Sequence, residues 1–115
     1  MIAVVWQFEV RAGREDEFER FYGADGEWSA LSRRSRSFLG SSFLREETPE
    51  PRYLLIEYWS EMLVLERHRR EVRDDLEDLE QRRDEMVTRA SPLGVFRALD
   101  VPDRFGPTWS RRDGR

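Results

Sequence analysis

The sequence predicts a single α+β domain whose elements follow one another in the order β-α-β-β-α-β. Period-two alternation opens the chain, two stretches of helical spacing follow later, and turns containing Gly or Pro separate the segments. A chain of 115 residues has room for one hydrophobic core of this kind. We place the domain at residues 1–99 and predict a Pro-, Gly- and Arg-rich tail at residues 100–115.

The first strand is predicted at residues 2–10, where apolar and aromatic side chains alternate with others. A turn at R-A-G, residues 11–13, ends it. One face of this strand carries Ile2, Val4, Trp6, Phe8 and Val10, and the other carries Ala3, Val5, Gln7 and Glu9.

From Arg14 the apolar spacing becomes helical. Gly23 and Gly26 interrupt this region, so we expect one helical segment to end and a second to start with Asp25 as its N-cap. The apolar positions of the region are Phe18, Phe21, Tyr22, Trp28 and Leu31.

Two strands are predicted next, at residues 37–46 and 52–59. Gly40 predicts either a bulge in the first of them or a close approach by another backbone. The intervening loop contains two prolines, which a central strand does not accommodate. The second, R-Y-L-L-I-E-Y-W, is the strongest strand signal in the chain.

A long helix at residues 61–88, capped by Ser60, and a short strand at residues 91–99 complete the predicted order. The opposite side of this helix is dense in Arg, Asp and Glu, which is typical of a solvated face. Its apolar stripe comprises Met62, Leu65, Val72, Leu76, Leu79 and Met86.

This order is the split βαβ pattern of ferredoxin-like domains, whose helices cover one face of a four-stranded antiparallel sheet. We expect Trp6, Phe8 and Tyr58 to face the helices. A half-apolar uncovered sheet face is typical of an association surface, so we predict a homodimer that packs through its sheet faces. We expect that face to carry Val5, Leu55 and Trp59 beside Gln7, Glu9 and Glu57.

Composition excludes several classes of function. The net charge of −4 and the pI near 5.2 argue against nucleic acid as a partner. The chain has no cysteine, no lysine and one histidine, which excludes thiolate and Schiff-base chemistry and argues against a metal site. No run is long enough to span a bilayer and no signal peptide is recognisable, so we predict a cytoplasmic protein without a membrane partner.

Three stretches together resemble the antibiotic biosynthesis monooxygenase family. They are V-x-x-G-x-E-x-E-F-E-x-x-Y at residues 10–22, F-L-G at 38–40, and R-Y-L-L-I-E-Y-W-S-E at 52–61. The resemblance runs from about residue 2 to residue 98. It implies a dimeric α+β barrel in which two ferredoxin-like sheets pack against each other.

The resemblance also implies a class of chemistry. Characterised members include cofactor-independent oxygenases of aromatic polyketide intermediates, in which the bound substrate anion itself reduces oxygen. The resemblance to them implies that this chain needs no cofactor. Other members degrade haem by means of an Asn, a Trp and an axial His, and the matching positions here are Trp6, His68 and Asp78. Because the axial ligand is missing, the resemblance argues against haem binding.

His68, the only histidine, is the candidate catalytic residue. A neutral imidazole can accept a phenolic proton, or hydrogen-bond the resulting anion, near neutral pH. The alternative is a half-buried helical residue that fills space beside a glutamate or a carbonyl group. The candidate substrate-binding residues around it are Trp6, Phe8, Trp28, Tyr58 and Trp59, although aromatic residues at such spacings are more often core.

Polar residues offer weaker candidates. Gln7, Glu9 and Glu57 provide either carboxylates for acid–base chemistry or a polar layer at a dimer interface. Arg45 and Arg52 flank the loop between the second and third strands, where they can hold an anion or be solvated. Two functions stay open: a cofactor-free monooxygenase of an aromatic small molecule, and a non-catalytic dimeric small-molecule-binding or accessory protein.

Overall fold

The computed structural model describes residues 1–102, which form an antiparallel four-stranded sheet with helices on one face. The strands are β1 (Ile2–Val10), β2 (Phe38–Arg45), β3 (Arg52–Trp59) and β4 (Val87–Arg97), in the spatial order β2-β3-β1-β4. The predicted α+β fold of ferredoxin-like topology is confirmed. Residues 103–115, most of the predicted tail, lie outside the described residues.

The first helical region is split as predicted, into α1 (Glu15–Tyr22) and α2 (Glu27–Ser32). The N-cap of α2 is Gly26, without a side-chain cap, so the prediction of Asp25 as the cap is wrong. A Cβ atom at Gly26 would lie 2.2 Å from the Phe21 carbonyl oxygen. The chain therefore passes too close to the end of α1 for any residue but glycine.

The second helical region also forms two helices, α3 (Met62–Glu71) and α4 (Arg73–Met86), where one was predicted. They meet at Val72, whose φ of −108° and ψ of 22° are not helical. The break lets the two halves of the apolar stripe pack against different parts of the core. Glu61, without a side-chain hydrogen bond, stands at the N-cap predicted for Ser60.

Strand β4 starts at Val87, four residues earlier than predicted, because Val87 pairs with Val10 immediately after α4 ends. No loop separates the two elements, and the Met86 carbonyl accepts a hydrogen bond from the Arg11 amide at 2.9 Å. The bulge predicted at Gly40 is confirmed by a register shift and a φ of 128°.

The phase predicted for β3 is wrong by one residue. In the antiparallel register Trp6 pairs with Leu55 and Ala3 pairs with Tyr58, so Leu55 shares a face with Trp6 while Tyr58 lies on the opposite one. The helix side of β3 carries Tyr53, Leu55, Glu57 and Trp59.

The opposite face, which we call the open face, carries Val5, Gln7, Leu54, Ile56 and Tyr58 from the two central strands. The edge strands add Leu44 and Phe96, which are 48% and 52% exposed. Within residues 1–102 no helix is long and apolar enough to cross a membrane.

Candidate functional site

The helix side of the sheet brings most of the predicted site residues together, in two adjoining clusters of buried side chains. The larger cluster includes Phe8 and Trp28 and lies beneath α1, α2 and α4. The smaller includes Trp59 and Leu65 and lies beneath α3. Trp6 packs against both, so it joins the two halves of the candidate site.

His68 and Trp59 are in direct contact. Their ring centroids are 5.2 Å apart, and both side chains are buried. Burial lowers the pKa of His68 from its ordinary value of 6.5. The charge of Arg34 lowers this pKa further, whereas the charge of Glu71 raises it. The imidazole is therefore neutral at pH 7 and able to accept a proton.

The indole N–H of Trp59 is the complementary group. It is buried and has no hydrogen-bond partner within residues 1–102, although buried indole N–H groups normally find one. The structure therefore places an indole N–H without a hydrogen-bond partner among the described residues against a neutral imidazole.

A surface cleft of about 480 Å³ opens beside His68. It lies between the end of α2 and α3, and Arg34, Arg67 and Glu71 are the charged residues of its lining. Both guanidinium groups also face carboxylates: Arg34 at 2.9 Å from Asp75, and Arg67 at 4.0 Å from Glu71. The full lining is Arg34, Ser35, Val64, Arg67, His68, Glu71 and Val72.

The other predicted aromatic walls are packed core. Phe8 is 1% exposed and Trp28 is 7% exposed, and each lies about 5 Å from the ring of Tyr22, at 4.9 and 5.2 Å. Trp6 is half-buried and stacks on Phe8 at 5.8 Å with the two rings almost parallel. Of these three aromatic residues, Trp6 is thus the least enclosed.

Glu57 lies on the helix side, and not on the uncovered face where we expected it. It is 5% exposed, and its Oε2 accepts hydrogen bonds from Trp28 Nε1 and Ser32 Oγ, each at 3.1 Å. Burial raises the pKa of this carboxyl above its ordinary 4.5, although the two hydrogen bonds oppose the shift. The expected polar layer with Gln7 and Glu9 does not form, because those two residues lie on the opposite face.

Arg83 on α4 is a residue that the sequence analysis missed. It is 6% exposed, and its guanidinium carbon lies 5.1 Å from the ring centroid of Trp6 and 5.9 Å from that of Phe8. Its Nη1 and the hydroxyl of Tyr22 are both buried and interact electrostatically with each other, and among the described residues neither makes a hydrogen bond of standard geometry. The sequence gives no signal for this burial, because Arg83 belongs to a helix in which arginines and carboxylates dominate.

The remaining candidates lie elsewhere. Tyr58 occupies the open face, so it cannot line the same space as Trp6. Arg45 pairs with Glu19 at 3.0 Å and Arg52 pairs with Glu46 at 2.7 Å, so each loop arginine already faces a carboxylate. Among the described residues no group of three His, Cys, Asp or Glu side chains is placed to hold a metal ion.

Comparison with known proteins identifies the fold. No protein-family model matches the chain, and no curated protein matches it in sequence. Among solved structures, SnoaB from Streptomyces nogalater, a cofactor-independent oxygenase, superposes with a TM-score of 0.69 at 21% identity. That match covers 87% of this chain and 94% of SnoaB.

Two further structures share the same architecture. A predicted antibiotic biosynthesis monooxygenase from Deinococcus radiodurans gives a TM-score of 0.59 at 14% identity, over 92% of this chain and 100% of that one. A MhuD variant with manganese protoporphyrin bound gives a TM-score of 0.59 at 24% identity. That match covers 89% of this chain and 99% of the MhuD chain. The ferredoxin-like α+β fold of the single chain is therefore confirmed.

Proposed function

We propose that the protein is a cofactor-independent oxygenase that acts on an aromatic or polyketide-type small molecule held on the helix side of its sheet. One observation carries this proposal: a neutral, buried imidazole at His68 packs against Trp59, whose indole N–H has no hydrogen-bond partner in the described part of the chain. The likeness of the fold to SnoaB, itself a cofactor-independent oxygenase, supports the same reading.

The chemistry needs little from the protein beyond position and charge. His68 accepts the proton of an electron-rich phenol or anthrone, and the resulting anion reduces O₂ directly. One oxygen atom becomes a carbonyl of the product and the other leaves as water, so that no external reductant is consumed. Trp59 donates its free N–H to the developing oxyanion, and Trp6 supplies a flat apolar wall.

Oxygen uptake with a panel of anthrones and quinols tests the proposal, on protein checked for bound metal, flavin and haem. We expect His68→Gln to lower turnover by about 100-fold, the usual contribution of a general base, and to keep the fold. Leu63→Ala is the matched control, because Leu63 is on the same helix and 75% exposed. Undiminished uptake in His68→Gln, or no uptake with any compound, would contradict the proposal.

A specific observation favours a second candidate, a non-catalytic small-molecule-binding or accessory protein. The rings of Phe8, Tyr22 and Trp28 fill much of the space beneath α1 and α2, which leaves less room there for a substrate. Binding of a quinol without oxygen uptake would identify this second function.

We also propose that the protein is a homodimer through the open face. Leu54 and Ile56 lie at its centre and Leu44 and Phe96 at its edges, which leaves an apolar sheet surface facing away from the helices. Apolar sheet faces of this kind commonly pack against a second copy.

A further inference from the structure

The buried carboxyl group of Glu57 connects strand β3 to helix α2. Its Oε2 accepts hydrogen bonds from Trp28 Nε1 and Ser32 Oγ, each at 3.1 Å. Trp28 lies in the first turn of α2 and Ser32 is the last residue of that helix. Because a buried donor that loses its partner is costly, these two bonds restrict where α2 can lie relative to the sheet.

The imidazole of His68 on α3 is enclosed by the same two elements. Its ring centroid is 5.2 Å from that of Trp59, which follows Glu57 by two residues on the helix side of β3. Burial lowers the pKa of His68, but a hydrogen bond to the backbone of Leu31 raises it. A bond that favours the protonated ring requires an acceptor, so the ring donates to the carbonyl oxygen of Leu31.

The Leu31 carbonyl is the point at which α2 meets this imidazole. Leu31 precedes Ser32 in the last turn of α2, where carbonyl groups lack an intrahelical amide and can accept from a His side chain. Ser35, three residues after the helix, lines the surface cleft together with His68. The serine that Glu57 holds and the carbonyl that contacts His68 therefore belong to adjacent residues.

A neutral imidazole that donates from one nitrogen presents the other nitrogen as an acceptor. We propose that Glu57 is a positioning residue: it holds the last turn of α2, and with it the Leu31 carbonyl, where that carbonyl selects one neutral tautomer of His68. The inference rests on the proposed function in one respect, since the tautomer determines which nitrogen can take a proton from a substrate.

Heteronuclear NMR of the imidazole nitrogens in the full-length chain tests this role, and the single histidine makes the signals unambiguous. The measurement is made at about pH 8, where the ring is neutral. The same chain unfolded in urea gives the tautomer ratio of a ring without the bond to Leu31. We expect the ratio in the folded wild type to differ from that value by about tenfold, as one hydrogen bond provides.

Variants that disconnect α2 from Glu57 should reduce this difference. Ser32→Ala removes the bond at the last turn of the helix, and Glu57→Leu removes both bonds to α2. Either change should bring the difference down to about threefold or less. Glu57→Gln keeps an acceptor oxygen, so its tautomer ratio should be that of the wild type.

Ser29→Ala is the matched control. Ser29 is also buried on α2, but its Oγ donates to the Gly23 carbonyl at 3.1 Å. The variant thus loses a hydrogen bond on the same helix without disturbing Glu57, and it should keep the wild-type ratio. A wild-type ratio equal to that in urea, an unchanged ratio in Ser32→Ala, or an equal change in Ser29→Ala would each overturn the proposal.

Two features keep the test decisive. If Glu57→Leu does not fold, Ser32→Ala decides the outcome, because it removes only one hydroxyl. NMR needs no turnover, so a protein whose tautomer ratio depends on Ser32 but which consumes no oxygen would contradict the oxygenase proposal and leave the positioning role of Glu57 intact.

Discussion

The indole of Trp28 donates a hydrogen bond of 3.1 Å to the carboxyl group of Glu57, which is otherwise enclosed in the core. Ser32, one helical turn after Trp28, donates to the same oxygen. A single carboxyl on the central strand β3 thereby fixes both ends of the short helix α2. The two hydrogen bonds satisfy the donor groups of Trp28 and Ser32. Burial nevertheless opposes ionisation of the Glu57 carboxyl and raises its pKa.

The stability of the protein should therefore depend on pH through Glu57. Because the folded-state pKa of Glu57 is raised above 4.5, the unfolded chain releases its proton first, and the contribution of Glu57 is full below pH 4.5 and declines as pH rises. Glu57→Gln removes this loss. We expect the free energy of unfolding of the variant, minus that of the wild type, to increase with pH above pH 4.5. The increase should be at most about 1.4 kcal/mol per pH unit.

Urea denaturation of both proteins between pH 4 and pH 7 measures this difference. Ser32→Ala is the companion variant, because it removes a hydrogen bond that favours the charged carboxyl. Without that bond the pKa of Glu57 should be higher in Ser32→Ala than in the wild type. The stability of the variant should therefore continue to fall at pH values where that of the wild type has become constant. A constant difference between Glu57→Gln and the wild type across the range would show that Glu57 does not titrate abnormally.

His68 should give a pH dependence of the opposite sign. Burial lowers its folded-state pKa below 6.5, so the unfolded chain binds a proton first as pH falls, and folding loses stability from about pH 6.5 downward. His68→Gln has no such group. Thermal denaturation should show the melting temperature of the variant rising relative to that of the wild type between pH 7 and pH 5. Parallel curves would place the imidazole in solvent.

The topology was predictable because the signals that determine it are local. The alternation from Ile2 to Val10 has one apolar and one mixed face, so β1 could be oriented correctly. The break at Gly23–Gly26 was visible for the same reason. The break at Val72 was not, because the apolar spacing continues through it and the two helices separate only to pack on different clusters.

The phase of β3 could not be predicted because both of its faces are apolar. An apolar residue is available for either face at Leu54 and Leu55, and again at Tyr58 and Trp59. Only the pairing of Trp6 with Leu55 shows which of them faces the helices. This single ambiguity misplaced Glu57 and Tyr58. Arg83 was missed for a different reason: its burial follows from the position of α4 over Trp6, and no residue pattern within a charged helix distinguishes it.

Tyr22 and Tyr53 should respond differently to the loss of a hydroxyl. The Tyr22 hydroxyl is buried and makes no hydrogen bond of standard geometry within residues 1–102, whereas that of Tyr53 donates to Glu19 at 2.6 Å. Tyr22→Phe should leave the free energy of unfolding unchanged or higher, because it removes an unsatisfied polar group. Tyr53→Phe should cost about 1 kcal/mol. Chemical denaturation compares the two, and a larger cost for Tyr22→Phe would show that its hydroxyl has a partner.

The open face should govern association. Ile56→Glu places a charge at the centre of that face, where burial against a second copy would leave it unpaired. We expect the variant to be monomeric and folded at concentrations at which the wild type is dimeric. Leu63→Glu, on the exposed side of α3, is the control and should remain dimeric. Sedimentation velocity distinguishes the two forms, and a monomeric wild type at micromolar concentration would contradict the dimer.

Gly26 should be the least replaceable turn glycine, for a steric reason and not a conformational one. Its φ of −80° is ordinary, but a Cβ atom would lie 2.2 Å from the Phe21 carbonyl oxygen and 2.4 Å from that of Arg20. Because both obstacles are backbone atoms, α2 would have to move. We expect Gly26→Ala to cost about 3 kcal/mol, at the upper end of the usual range for overpacking.

Gly13→Ala is the comparison. Gly13 has a φ of 86°, which disfavours a side chain, but nothing lies within 4 Å of the added carbon. The expected cost is about 1 kcal/mol, from backbone strain alone. Because α2 carries Trp28 to Glu57, only Gly26→Ala should also alter the near-ultraviolet circular dichroism of the tryptophans. Equal costs for the two variants, with unchanged spectra, would show that the approach of the chain to α1 does not position Trp28.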